Sequence, residues 1–116
     1  MVTTTTIADG TVITLLPERF AIDQIPFVEH ELLPFIIKNP ERVLFDMSQT
    51  DYISSAGMRM LLGVLRTVTD TGGRVAVCSL KSPVMQVFII SGFDRIFPVY
   101  ATREEALLFL EGPLLQ

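Results

Sequence analysis

The sequence has no tryptophan, one cysteine and one histidine among its 116 residues. A lone thiol forms no internal disulfide. Cys78 lies in the apolar run Val75-Ala76-Val77-Cys78, where a small buried hydrophobe is expected rather than a reactive group. His30 stands between Glu29 and Glu31 in a helical segment, so neither a His/Cys metal cluster nor a Ser-His-Asp or Cys-His arrangement can be built around it. There is no Cys-x-x-Cys pair and no phosphate loop. Ser54-Ser55-Ala56-Gly57-Met58 is not a Gly-x-Ser-x-Gly elbow. Catalysis, a metal and a cofactor are therefore not expected.

Basic residues are also scarce. Nine Lys and Arg face thirteen Asp and Glu, a net charge of −4, and the nearest approach to a basic cluster, Arg59 to Arg66, is too sparse to make a patch. Nucleic-acid binding, which depends on clustered cations, is not expected. No apolar run reaches the roughly 18 residues of a membrane span. The N-terminal stretch Met1-Val2-Thr3-Thr4-Thr5-Thr6 lacks the basic segment of a secretory leader. The expectation is a soluble, cytoplasmic protein with no membrane partner.

Hydrophobic residues make up 49% of the chain and charged residues 19%, which suits one globular domain over residues 1–116. Thr3 to Ala8 and Thr11 to Leu16 read as two strands joined at Asp9-Gly10, an antiparallel hairpin. Ile22, Ile25, Val28, Leu32, Leu33, Ile36 and Ile37 recur at steps of three and four, a helix with Pro26 in its first turn. Pro34 removes a backbone donor and predicts a kink or split there. Arg42 to Met47 and Arg74 to Leu80 read as strands buried on both faces. Between them, Met58, Leu61, Leu62, Leu65 and Val68 mark a helix that stops at Gly72-Gly73. Pro83 to Ile90 reads as a helix ended by Gly92, and Ile96 to Tyr100 as a short strand. Thr102-Arg103-Glu104-Glu105 reads as a capping box opening a helix from Glu104 to Leu110. Residues 112–116 read as a loose tail on which Leu114 and Leu115 could dock. The order β-β-α-β-α-β-α-β-α implies an α/β fold with a mixed sheet: an antiparallel opening hairpin, then parallel strands with crossover helices.

The distinctive segment is the turn after the Arg42–Met47 strand, Asp51-Tyr52-Ile53-Ser54-Ser55-Ala56-Gly57. Ser54 or Ser55 suits a helix N-cap. Ala56 and Gly57 leave room for a close approach, and α/β sheets place their sites at the carboxyl ends of strands. Asp46 and Asp51 bracket the turn, and with Lys81 they raise the thought of a receiver-type aspartyl phosphate site. The opening hairpin and the lack of an early acidic pair argue against that fold.

The stretch Asp46-Met47-Ser48 followed by Ser54-Ser55-Ala56-Gly57-Met58 and an apolar helix resembles the signature of the STAS domain, the module of bacterial anti-sigma-factor antagonists and of sulfate-transporter tails. The opening hairpin, Gly72-Gly73-Arg74, and the run from Val87-Phe88 to Gly92-Phe93 extend the likeness over most of the chain. The resemblance implies a STAS-like fold and a partner-switching role. The domain would bind an anti-sigma factor that is itself a serine kinase, be released when a serine of the turn is phosphorylated, and be reset by a serine phosphatase. With the family's glycine on Gly57, its usual phosphoserine falls on Ala56 and its preceding acid on Ser54. Ser55 is then the expected acceptor and Ser54 the alternative. A non-phosphorylatable scaffold is a further reading, as are simple helix caps at Ser54 and Ser55. A module binding a small lipid or nucleotide is a second class of function. The partner surface is expected to comprise Asp46, Ser48, Asp51, Tyr52, Ser54, Ser55, Ala56, Gly57, Met58, Arg59 and Leu62. Of Phe88, Ile89, Ile90, Phe93 and Phe97, most are expected in the core.

Overall fold

The computed structural model describes residues 2–112; the tail residues Leu114 and Leu115 lie outside them. Strands β1 (Thr3–Thr6) and β2 (Val12–Leu15) form the expected hairpin. Its turn closes through Gly10, whose φ of 89° suits a residue without Cβ, and through a hydrogen bond from Thr11 N–H to Asp9 Oδ1 at 2.9 Å. The remaining strands are β3 (Arg19–Phe20), β4 (Arg42–Asp46), β5 (Tyr52–Ile53), β6 (Arg74–Cys78) and β7 (Val99–Tyr100). The helices are α1 (Ile25–Ile36), α2 (Ser55–Asp70), α3 (Ser82–Ser91) and α4 (Arg103–Glu111). The main sheet has the order β1-β2-β4-β6-β7, antiparallel only at β1–β2. This is the mixed α/β architecture expected from the sequence.

Both faces of β4 and β6 are covered, which is why they read as continuous apolar runs rather than alternating ones. Val43, Phe45, Val75 and Val77 join the larger core with Val28 and Leu32 of α1, Leu61 and Val68 of α2, and Val84 and Phe88 of α3. Leu44, Ala76 and Cys78 point the other way, against Ala106 and Leu110 of α4. Arginines at the starts of β4 and β6 tie down the end of α4. Arg42 Nε donates to the Leu110 carbonyl at 2.6 Å and Arg74 Nη1 to the Phe109 carbonyl at 2.9 Å, satisfying acceptors that a helix end leaves open.

Several boundaries differ from expectation. Pro34 does not split its helix: α1 runs unbroken from Ile25 to Ile36. The proline stands in the last turn on an exposed side, where one lost hydrogen bond costs little order. A 3-10 turn at Ile22–Gln24 precedes α1. β6 stops at Cys78 because Ser79 has φ 62°, which an extended strand excludes. Ile96 caps a second 3-10 turn (Phe93–Arg95), and only Val99 and Tyr100 pair with β6. At α4, Thr102 Oγ1 accepts from Glu105 N–H at 3.2 Å as a cap should, but the Glu105 carboxylate meets the Thr102 hydroxyl rather than completing the box through the backbone. β3 and β5 form a separate two-stranded parallel sheet that the sequence did not predict.

Candidate functional site

The parallel strands β2, β4, β6 and β7 present their carboxyl ends at one edge, and the Asp46–Gly57 segment emerges there from β4. The segment is fixed by the chain leaving β2. Gln49 Nε2 donates to the Leu16 carbonyl at 2.7 Å and Thr50 Oγ1 to the Pro17 carbonyl at 2.9 Å. Asp51 N–H donates to the Glu18 carbonyl at 2.7 Å and Ser54 N–H to the Phe20 carbonyl at 3.0 Å. The small β3–β5 sheet is thus the brace of the turn. The Arg19 guanidinium lies 4.7 Å from the centre of the Tyr52 ring, a cation–π contact on its outer face.

Ser54 is the N-cap of α2. Its backbone is extended, and its Oγ accepts from Gly57 N–H at 3.2 Å. Ser55 is the first helical residue and is exposed. The two serines therefore differ in occupation: one hydroxyl is engaged in the cap, the other faces outward. Ser54→Ala is expected to cost about 1 kcal/mol of stability as a lost cap, whereas Ser55→Ala stays within about 0.5 kcal/mol. Urea unfolding of both variants checks this, and equal losses would remove the distinction.

Asp46 is buried beneath the turn. Its Oδ2 accepts from Arg103 Nη2 at 2.6 Å and Nε at 3.2 Å, and its Oδ1 accepts from Ser48 N–H at 2.9 Å. Burial alone would push the carboxyl up. The hydrogen bonds from Arg103 and Ser48 outweigh it and hold the group below its ordinary value of 3.8. A carboxylate whose pKa is lower folded than unfolded adds stability above the unfolded value, and that stability is lost as pH falls through the folded one. Wild-type protein should therefore lose this contribution below about pH 4. Asp46→Asn should cost about 1–2 kcal/mol at pH 7, because Arg103 is half-exposed and rehydrates. It should also unfold with less dependence on pH between 4 and 2. Urea midpoints of the two proteins that fall in parallel over that range would contradict the assignment. Cys78, beside this pair, has its thiol pushed up to about 11 chiefly by burial and stays protonated.

Lys81, at the start of α3, donates to Asp51 Oδ1 at 2.8 Å. Adjacent loops thus reach the turn from either side: the segment after β6 supplies Lys81, and the segment after β7 supplies Arg103. A receiver-like grouping of Asp46, Asp51 and Lys81 is not what forms, since Lys81 holds Asp51 while Arg103 holds Asp46. Ser48, Asp51, Tyr52, Ser55 and Arg59 are exposed, and Ser54, Ala56 and Leu62 are half-buried. Asp46, Gly57 and Met58 are buried and shape the surface from below. The close approach at Gly57 is made by this chain's own Phe20 carbonyl, 2.8 Å from where a Cβ would stand. In the sequence alone, Arg103 reads only as part of a helix start. The signal available for it was its position just past the carboxyl end of a parallel strand, where sites collect.

The comparisons with known proteins fit this geometry. A family model described as STAS domain matches residues 3–106. The chain belongs to the STAS domain family. A Bordetella bronchiseptica protein named as the anti-sigma factor antagonist BtrV is 44% identical to this STAS chain over 79 residues, 68% of each protein. An anti-sigma F factor antagonist of Paenibacillus polymyxa is 30% identical over 71 residues, 61% of each. Among solved structures, an anti-sigma-factor antagonist (STAS) domain protein of Planctomyces limnophilus superposes with a TM-score of 0.86 at 21% identity, covering 96% of this chain and 98% of that one. The Bacillus cell fate determinant SpoIIAA in its phosphorylated form superposes with a TM-score of 0.75 at 18% identity, covering 96% and 100%. At those identities the structures establish the STAS fold, with its mixed sheet and four helices.

Proposed function

We propose that this STAS domain is an anti-sigma factor antagonist that binds an anti-sigma serine kinase through the surface around the α2 N-terminus and is released when that kinase phosphorylates Ser55. The observation that carries the reading is the division of labour between the serines: Ser54 is consumed as a cap, and Ser55 is exposed at the first position of the helix. The names of the relatives, which describe anti-sigma factor antagonists, support it.

A phosphoryl group adds about −1.5 to −2 charges and three acceptor oxygens. At a helix N-terminus that charge is favoured by about 0.3–1 kcal/mol, so the fold tolerates it. A partner closing over Ser55 does not, because the charged group occupies the contact and must be stripped of water. Catalysis belongs to the kinase, and to a serine phosphatase that restores the hydroxyl. This chain is their substrate, acting in the cytoplasm.

The test is co-purification with a serine kinase of the anti-sigma type, followed by intact-mass measurement after adding ATP. Wild type should bind and gain one phosphate, and Ser55→Ala should bind and gain none. Phosphate persisting on Ser55→Ala would move the acceptor to Ser54. Absence of binding to any such kinase would overturn the reading.

A further inference from the structure

Between α1 and α2 runs an open groove of about 670 Å³, walled by Ile22, Ile25, Leu33 and Ile36 on one side and Met60 and Val64 on the other. Among the described residues nothing covers it: Ile22 is 72% exposed and Leu33 48%. One end opens at Ala56, beside Ser55. Along α1 the lining runs from Ile25 to Ile36, about 16 Å or three helical turns.

Two features say what suits it. Gly63 lies in the middle of α2 and lines the groove. A glycine inside a helix weakens it relative to alanine, yet a Cβ at Gly63 would meet nothing within 4 Å. Packing among the described residues therefore gives no reason for the glycine, whereas a second backbone approaching along the groove does. Next, Arg59 on the α2 wall and Glu29 on the α1 wall are both exposed and form no ion pair among the described residues. Neither has an opposite charge three or four positions away on its own helix. The groove thus has an apolar floor, one cationic wall and one anionic wall.

We propose that this groove receives an amphipathic helix of the partner protein, its apolar stripe on Ile25, Leu33, Met60 and Val64, an acidic residue against Arg59 and a basic one against Glu29. The inference rests on the partner-binding reading above and extends its contact from the turn along α2. It also gives the phosphate a second effect. Arg59 stands four residues after Ser55, the spacing at which helix side chains meet. A phosphate on Ser55 draws the Arg59 guanidinium to itself and takes the cation away from the partner helix. A helix suits the site better than a small molecule, because ligand pockets enclose 70–90% of what they bind and this groove is open along its length.

The test uses the full chain with two binders: the anti-sigma-type kinase, and a synthetic amphipathic helical peptide with leucines at helical spacing and Glu and Lys on opposite flanks. In nitrogen-15 NMR the peptide should shift residues of α1 and α2 that line the groove. Gly63→Leu should keep or raise the melting temperature while weakening both binders at least about tenfold. Leu33→Glu, remote from the turn, should weaken them similarly, and Arg59→Glu about fivefold. Shifts outside the groove, full affinity in Gly63→Leu, or dodecanoate filling the groove where the peptide fails would each overturn the proposal. If the kinase binds wild type and Gly63→Leu alike, the groove is refuted and the function stands. If the peptide seats but no kinase binds, the function is refuted and the groove stands.

Discussion

Phe88→Ala is expected to lower the unfolding free energy by about 3–5 kcal/mol. Phe88 is fully buried and is one of only two buried residues on α3, the other being Val84. Its ring meets Phe93 edge-on at 5.9 Å between centroids and lies 6.1 Å from Phe97. Phe93 and Phe97 themselves stack at 5.6 Å. Truncation removes one corner of this triangle and leaves a cavity against Phe93 and Phe97, so a cavity term adds to the lost transfer energy. A domain of this size has about 5–15 kcal/mol in hand, so the variant should lie near the edge of folding. Phe88→Leu should recover a good part of the loss. Guanidinium unfolding of both variants decides the matter, and a loss below about 1 kcal/mol would mean α3 is not docked through this residue.

The second large effect has an unexpected sign for a helix. Gly57→Ala should destabilise the protein by about 1–3 kcal/mol, although alanine exceeds glycine in helix propensity by about 1 kcal/mol. The new Cβ would stand 2.8 Å from the Phe20 carbonyl oxygen and 3.1 Å from Ile53 Cγ1. That carbonyl already accepts from Ser54 N–H at 3.0 Å. Moving it disturbs the β3–β5 brace and the helix cap together. Gly63→Ala, in the same helix with open space around its Cβ, should instead gain about 0.5–1 kcal/mol. Thermal unfolding of the pair gives a direct contrast. Equal signs would show that propensity rather than contact with Phe20 governs Gly57.

Much of the architecture could be read from the residue pattern. The doubly covered strands reveal themselves as unbroken apolar runs, as in Val43-Leu44-Phe45, because both faces are buried. Helices show their periodicity, and Gly92 marks the end of α3 through its φ of 80°. What could not be read depends on partners distant in sequence. β3 and β5 are two residues each, too short for any periodicity, and exist only because the chain after Pro17 runs beside the turn. The site was legible as a segment but not as a constellation. Asp46 looked like part of a surface, and only Arg103 arriving from another element shows why a carboxylate is kept beneath it. Likewise, the choice between Ser54 and Ser55 as the cap was open from composition alone, since either side chain can accept from a helix N–H. The hydrogen bond to Gly57 N–H assigns the cap to Ser54.

The ion pair between Asp46 and Arg103 joins residues 57 positions apart. At a ribosomal pace of about 5–20 residues per second, Arg103 follows Asp46 by about 3–11 s. Helix α4, which covers Leu44 and Ala76 from behind, arrives on the same schedule. During synthesis the nascent sheet therefore passes through an interval with one apolar face bare and an uncompensated carboxylate at its edge. That interval is when a growing chain is most exposed to wrong association and most dependent on chaperones. Among the described elements, α4 emerges last, and it covers the sheet and pairs the acid in one step.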